Sequence, residues 1–164
     1  MDTKDRLNRL ITTCSNESGK IKVYLKEIQK YKPFTEDVLA NLIDFKNDND
    51  IKLDALIESI FFRLHKLYIS IENKIFPLVL ELLLEYDHKT NIDRLNFFEK
   101  LSYIDSTSWW LGFNELYSFN IYYYENDLKE LSIELQLRLD KIAEFIAFWE
   151  ELSIKLKKLS SIVR

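Results

Sequence analysis

Glycine and proline are scarce in this chain, whose 164 residues include two of each: Gly19, Gly112, Pro33 and Pro77. Sheets with tight hairpins need turn residues roughly every eight to twelve positions. The scarcity therefore excludes a hairpin-rich β fold and favours long helices. Because 47% of the residues are hydrophobic and 30% are charged, the composition is that of a globular protein. We predict one all-α domain over residues 1–164.

Cysteine and long apolar runs are also lacking. Cys14 is the single cysteine, which excludes an intramolecular disulfide and is typical of a reducing compartment. The polar start MDTKDRLNRL is not followed by the apolar segment of a signal peptide. The strongest apolar run, at 75–86, is interrupted by Glu81 and is shorter than the roughly 20 residues that span a bilayer. These features predict a cytoplasmic protein without a membrane span.

Local signals divide the first part of the chain into three helices. The polar segment Ser15–Gly19 predicts a break between a short first helix and a second over about 20–31. Pro33 ends the second helix, because the residue before a proline is pushed out of the helical region. Thr35 then caps a helix over about 36–45.

Further caps divide the middle of the chain. The polar cluster Asn47–Asp50 begins a long helix whose apolar residues recur every three or four positions. Pro77 either kinks this helix or begins a new one. Thr90 and Asp93 resemble a capping box, with Asp in place of the usual Glu, and begin another short helix.

The last predicted helix, over about 128–162, is much longer than the others. Its apolar residues form a near-heptad row with a second row beside it. The first row is Leu128, Leu131, Leu135, Leu139, Ile142, Ile146, Trp149, Leu156, Leu159 and Val163, and the second is Ile133, Leu137, Phe145, Phe148 and Leu152. Some 35 residues reach roughly 50 Å, whereas a compact globule of this length is about 40 Å across. We therefore predict an elongated bundle of about six or seven helices, unless this helix bends or a second copy packs along it.

The segment SWWLGFNELYSFNIYYYEN, at 108–126, holds eight aromatic rings. Interpreted as a helix that ends before Asp127, it places one row of residues on a single face, and such a row is typical of core packing. That row is Trp110, Phe113, Tyr117, Ile121, Tyr124 and Leu128. Trp109 and Tyr123 fall on its flank, whereas Phe119 and Tyr122 fall among polar residues on the other side.

Large aromatic residues on a polar face indicate an interaction surface or a place that a neighbouring loop covers. We predict partner binding by Phe119, Tyr122, Tyr123 and Trp109. Stacking of nucleic-acid bases is disfavoured, because the acids that flank these rings repel phosphate; they are Glu115, Glu125 and Asp127.

Glu85 and His88 have the E-x-x-H spacing, which puts a carboxylate and an imidazole on one helix face, as in di-iron bundles. Such a centre requires a second copy of the motif, and the other histidine, His65, has Phe62 where the glutamate belongs. We therefore predict neither a metal nor another cofactor. A helical-bundle enzyme or metal-binding protein is the alternative, and it requires Glu81 and these three residues (Glu85, His88 and His65) to meet in one polar pocket.

Lys22, Lys26 and Lys30 form a lysine stripe at i, i+4 spacing, which gives a third alternative, a nucleic-acid binder. The formal net charge is −4, and lysine outnumbers arginine seventeen to six. Arginine is the side chain that reads bases best, so we regard nucleic acid as the less favoured partner.

None of these patterns supplies a catalytic arrangement or a glycine-rich phosphate loop. We predict a non-catalytic helical protein-interaction module whose partner is another protein or a second copy of itself. A small intracellular inhibitor, such as an immunity protein, or an adaptor would have these properties.

Overall fold

The computed structural model describes residues 1–163, which form seven α-helices and no strand. The helices are α1 (Thr3–Ile28), α2 (Glu36–Asp44), α3 (Asp48–Ser70), α4 (Phe76–Leu82), α5 (Asn91–Lys100), α6 (Thr107–Gly112) and α7 (Leu128–Ile162). Short 3-10 turns cover Gln29–Tyr31, Phe113–Ser118 and Ile121–Tyr124, and a π turn covers Ile71–Ile75. The predicted all-α bundle with a very long last helix is confirmed.

Three long helices, α1, α3 and α7, form the body of the bundle. α1 contacts both α3 and α7, and the 3-10 turn Phe113–Ser118 also contacts both. The buried apolar side chains of all these elements form one cluster. The accessible surface is 9654 Å², against about 8,600 Å² for a compact protein of 19.7 kDa. The bundle is therefore elongated, and its length follows α7.

The predicted break at Ser15–Gly19 is wrong, because α1 continues through it. Cys14 and Ser18 are both buried on the face that α1 turns toward its neighbours, and Glu17 pairs with Arg63 of α3 at 3.0 Å. These tertiary contacts outweigh the cost of about 1 kcal/mol of a helical glycine. Burial, partly offset by the charge of Lys74, raises the pKa of the Cys14 thiol to about 11.

The predicted caps are confirmed. The Thr35 hydroxyl accepts a hydrogen bond from the Val38 amide at the start of α2. Asn47 with Asp50, and Thr90 with Asp93, form capping boxes at the starts of α3 and α5. These ends are set by local hydrogen bonds, which is why sequence alone locates them.

Pro77 lies in the first turn of α4, directly after the π turn. The Phe76 amide donates to the carbonyl of Ile71, five residues earlier. A proline has no amide to donate and its ring crowds the carbonyl four residues before it. The wider turn accommodates both effects, so the chain stays helical through Pro77 and a new α-helix begins there.

α7 buries most of its first apolar row, although Leu128 and Leu159 near its ends are half-buried, and it buries only part of the second. Phe145 and Leu152 are buried, whereas Ile133 and Leu137 are exposed. The predicted second buried face therefore exists only in the C-terminal half, where the aromatic rings of α6 pack against Phe145 and Phe148. Across residues 1–163, no helix combines the length and the apolarity needed to cross a bilayer.

Candidate functional site: an apolar groove beside α3

The aromatic segment is not one helix, which corrects the sequence-based prediction. α6 ends at Gly112, and two 3-10 turns follow, separated by Phe119 and Asn120 in extended conformations. Arg138 of α7 donates hydrogen bonds to the carbonyls of Glu115 and Leu116, at 3.3 and 3.1 Å. Asn120 accepts from the Tyr122 amide through its side chain and begins the second turn. A tertiary contact and a polar cap thus interrupt the helix.

The interruption changes which rings are buried. Trp110, Phe113 and Ile121 are core residues, as the predicted row requires. Tyr117, from the same row, is exposed, whereas Phe119 is half-buried. The helical wheel is therefore correct for Trp110, Phe113 and Ile121 and wrong for Tyr117.

Between α3 and residues 117–122 lies a groove of about 900 Å³, which we call the α3 groove. Most of its α3 side comes from residues spaced three or four apart on one helix face. The lining residues are Asp54, Ala55, Ile57, Glu58, Ser59, Phe61, Phe62, His65, Tyr117, Phe119, Asn120, Ile121 and Tyr122. Apolar side chains provide most of its surface, so it is a candidate binding site.

One end of the α3 groove is aromatic. The rings of His65 and Tyr117 stack with centroids 3.9 Å apart, and Phe119 packs on Phe61 at 5.3 Å. Phe62 and Tyr122 keep 62% and 52% of their surface exposed. Exposed aromatic residues around a concavity are typical of interface centres.

The other end is acidic. Asp54 and Glu58 lie one turn apart on α3, and neither forms an ion pair with any cation among residues 1–163. Burial, followed by the charge of Glu58, raises the pKa of the Asp54 carboxyl. Lys66 lies one turn beyond Phe62 on α3, with its ammonium 5.9 Å from the centre of the Phe62 ring.

The four residues predicted to bind a partner do not form one surface. Phe119 and Tyr122 line the α3 groove. Tyr123 is 84% exposed and lines no cavity described here. Trp109 is half-buried, and its Nε1 donates to Glu144 at 3.0 Å. Its ring lines a separate cavity of about 490 Å³ between the end of α5, α6 and α7.

The alternative polar pocket does not form. His65 stacks on Tyr117 in the α3 groove, while His88 packs on Phe97 and lies 3.3 Å from Glu85. Glu81 instead accepts a hydrogen bond from Thr3 of α1. Within residues 1–163, no three His, Cys, Asp or Glu side chains are grouped to hold a metal.

The lysine stripe is partly neutralised by acids. Lys22 pairs with Glu150 of α7 at 2.9 Å, and Lys30 pairs with Glu27 at 2.8 Å. Lys26 is exposed. Paired lysines have less charge to offer to phosphates, so the stripe is a weak candidate for a nucleic-acid interface.

Sequence reasoning missed the α3 side of the groove. Phe62 lies on the side of α3 opposite its buried row, in the same arc as Glu58 and Lys66. The available signal for this wall was a large aromatic residue on the polar face of a segment whose periodicity clearly predicts a helix. Asp54 gave no signal, because a helical acid is usually a solvated residue.

In comparisons with protein-family models, curated proteins and solved structures, nothing matches this chain.

Proposed function

We propose that this chain is a non-catalytic protein-interaction module that binds another protein through the α3 groove. The observation that carries the proposal is the exposure of Phe62, Tyr117 and Tyr122 around one apolar concavity. Rings placed in this way bury a large area on docking and lose little conformational freedom. A small inhibitor, an immunity protein or an adaptor acts by binding of this kind.

Charge supports a protein partner over nucleic acid. Asp54 and Glu58 at the groove repel phosphate, so base stacking on the neighbouring rings has an electrostatic cost. Elsewhere, the lysine stripe is partly paired. The proposed setting is the cytoplasm, because Cys14 is a free thiol and structural disulfides belong to oxidising compartments.

The test uses photo-crosslinking from the α3 groove. A benzophenone amino acid replaces Tyr122 in one variant and Tyr86, which is exposed outside the groove, in a matched control. Irradiation in cells that produce the protein should join position 122, but not 86, to one other polypeptide. Phe62→Ala should suppress that product. Equal labelling from both positions, or no product that depends on Phe62, would count against the proposal.

The Phe62→Ala, Tyr122→Ala double variant should abolish binding and leave folding intact. Both side chains are exposed, and truncation of exposed side chains usually changes stability by less than about 0.5 kcal/mol each. Thermal denaturation followed by circular dichroism checks the folding, and the yield of crosslinked product checks the binding. Tyr86→Ala with Tyr123→Ala removes two exposed rings elsewhere and should keep the complex. Loss of the complex in that control would show that binding depends on aromatic residues outside the groove.

A further inference from the structure

The α3 groove has the dimensions of a short helix. Along α3 it extends from Asp54 to His65, and eleven steps of about 1.5 Å give a length of roughly 16 Å. A partner helix of about eleven residues, or three turns, covers this length. The volume of the groove, about 900 Å³, accommodates several bulky side chains.

The walls of the groove favour a helical occupant over an extended one. α3 satisfies its own backbone hydrogen bonds, and residues 1–163 contain no strand whose edge an extended peptide could join. An extended peptide would therefore leave its amides and carbonyls unpaired in an apolar groove. A helix pairs those groups internally and presents side chains only.

The acidic end specifies the charge of the occupant. Asp54 and Glu58 have no cationic partner among the described residues, and both line the groove. Further desolvation by a neutral or acidic partner would add to the cost of these two charges. A lysine or arginine from the partner would neutralise them instead.

From this juxtaposition we propose that the α3 groove binds a basic amphipathic helix of another protein. Bulky apolar side chains of that helix pack against Phe62, Tyr117 and Tyr122, and its Lys or Arg residues meet Asp54 and Glu58. This inference rests on the proposed function and adds the chemistry of the partner. It also distinguishes the expected occupant, a basic helix of another protein, from a second copy of this chain.

A second copy fits this groove poorly. In a two-fold dimer the same surface meets itself, so a contact centred on the acidic end would bring Asp54 and Glu58 of both copies together. Four carboxylates would then face one another, with no cation among the lining residues. Like charges placed across an interface oppose association.

Selection from a random library tests the inference without a known partner. Displayed 16-residue peptides are selected on the wild-type protein and counter-selected on the Phe62→Ala, Tyr122→Ala variant. The surviving peptides should carry apolar residues at i, i+4 and i+7 together with Lys or Arg. The leading peptide, synthesised and labelled, is then titrated by fluorescence anisotropy.

The titration compares charge variants of the groove with a matched control. Asp54→Asn with Glu58→Gln should weaken binding of that peptide about tenfold and reduce its dependence on salt. Glu151→Gln, which removes an exposed acid of α7 outside the groove, should leave the affinity unchanged. The Asp54→Asn, Glu58→Gln variant should melt at or above the wild-type temperature, because burial and the charge of Glu58 already disfavour the Asp54 charge and the variant removes both charges. Weaker binding therefore cannot be attributed to unfolding.

The possible failures differ in the result they produce. Neutral or acidic peptides that still need Phe62 and Tyr122 would overturn the charge of the occupant and leave the docking groove in place. Peptides that bind both proteins equally, or no enrichment at all, would overturn the groove as a docking site and the proposed function with it. Basic peptides whose binding ignores Asp54 and Glu58 would also refute the inference.

Discussion

Two neighbouring aromatic residues of the same segment have different roles. Phe119 is half-buried against Phe61 and lies under the Arg138 guanidinium, which is 5.0 Å from its ring centre. Tyr122 is mostly exposed on the rim of the α3 groove. Sequence periodicity grouped them, because on one helix they would share a face. Their contacts separate a packing residue from an accessible one.

Phe119→Ala should destabilise the protein by about 2 kcal/mol, less than a fully buried Phe→Ala change because the ring is only partly covered. A loss of this size lowers the melting temperature of a chain of this length by roughly 4–8 °C. Tyr122→Ala should shift it by less than about 2 °C. Thermal denaturation of both variants measures the difference. Equal shifts would mean that the two rings are equally packed.

The Glu17–Arg63 pair joins α1 to α3 and predicts a dependence on pH. Burial alone would raise the pKa of Glu17, but the hydrogen bond and charge of Arg63, with Lys20 and Lys66, lower it. Because the folded pKa lies below the unfolded value of about 4.3, the stabilisation is present above that value. It is lost as the pH falls through the folded pKa.

Glu17→Gln should therefore lower stability by about 1 kcal/mol at pH 7 and by less at pH 3, where acid begins to protonate the wild-type carboxyl. Chemical denaturation at both pH values gives the two differences. Glu27→Gln, which breaks the exposed i, i+3 pair with Lys30, should change stability by only a few tenths of a kcal/mol. A Glu17→Gln effect that is the same at both pH values would indicate lost packing rather than lost charge.

At the scale of elements, α1 shows that a local break signal can be overruled. Gly19 lies within the helix with its α-carbon exposed, and a Cβ added there meets no atom within 4 Å. Gly19→Ala should therefore stabilise the protein by about 0.5–1 kcal/mol, by reducing the freedom of the unfolded chain and raising helix propensity. The melting temperature should rise by roughly 1–4 °C. A decrease would show that the helix is strained at this position.

The helix starts were predictable from sequence and the helix interruptions were not, for a physical reason. Thr35, Asn47 and Thr90 cap their helices with side chains that reach only three residues along the chain. The interruption after Gly112 depends instead on Arg138, which reaches the carbonyl of Leu116 from more than twenty residues away. No local pattern contains that contact.

The same distinction applies to the candidate site. Tyr122 and Phe119 were recognisable as unusual rings, and both line the groove. The opposite wall comes from α3, and its proximity to residues 117–122 depends on how the helices pack. Asp54 and Glu58 can be recognised as part of a binding site only after α3 has been placed beside residues 117–122.

At the scale of the whole molecule, other elements of the same chain cover much of α7. α1, α2 and both 3-10 turns of the aromatic segment contact α7, and Ser132 near its start donates to the carbonyl of Phe34. We therefore expect a monomer of 19.7 kDa with a maximum dimension of at least about 50 Å. Small-angle scattering with light scattering measures both quantities. Twice this mass at micromolar concentration would contradict the expectation.

Cys14 makes the opening of this bundle measurable by simple chemistry. Its sulfur is buried between helices, and a neutral, enclosed thiol reacts with an aromatic disulfide reagent only after the helices separate. The rate of colour formation therefore reports how often the native bundle opens. A partner that binds only the folded chain makes opening rarer. Slower consumption of one thiol can thus reveal an occupied groove without any label on the partner.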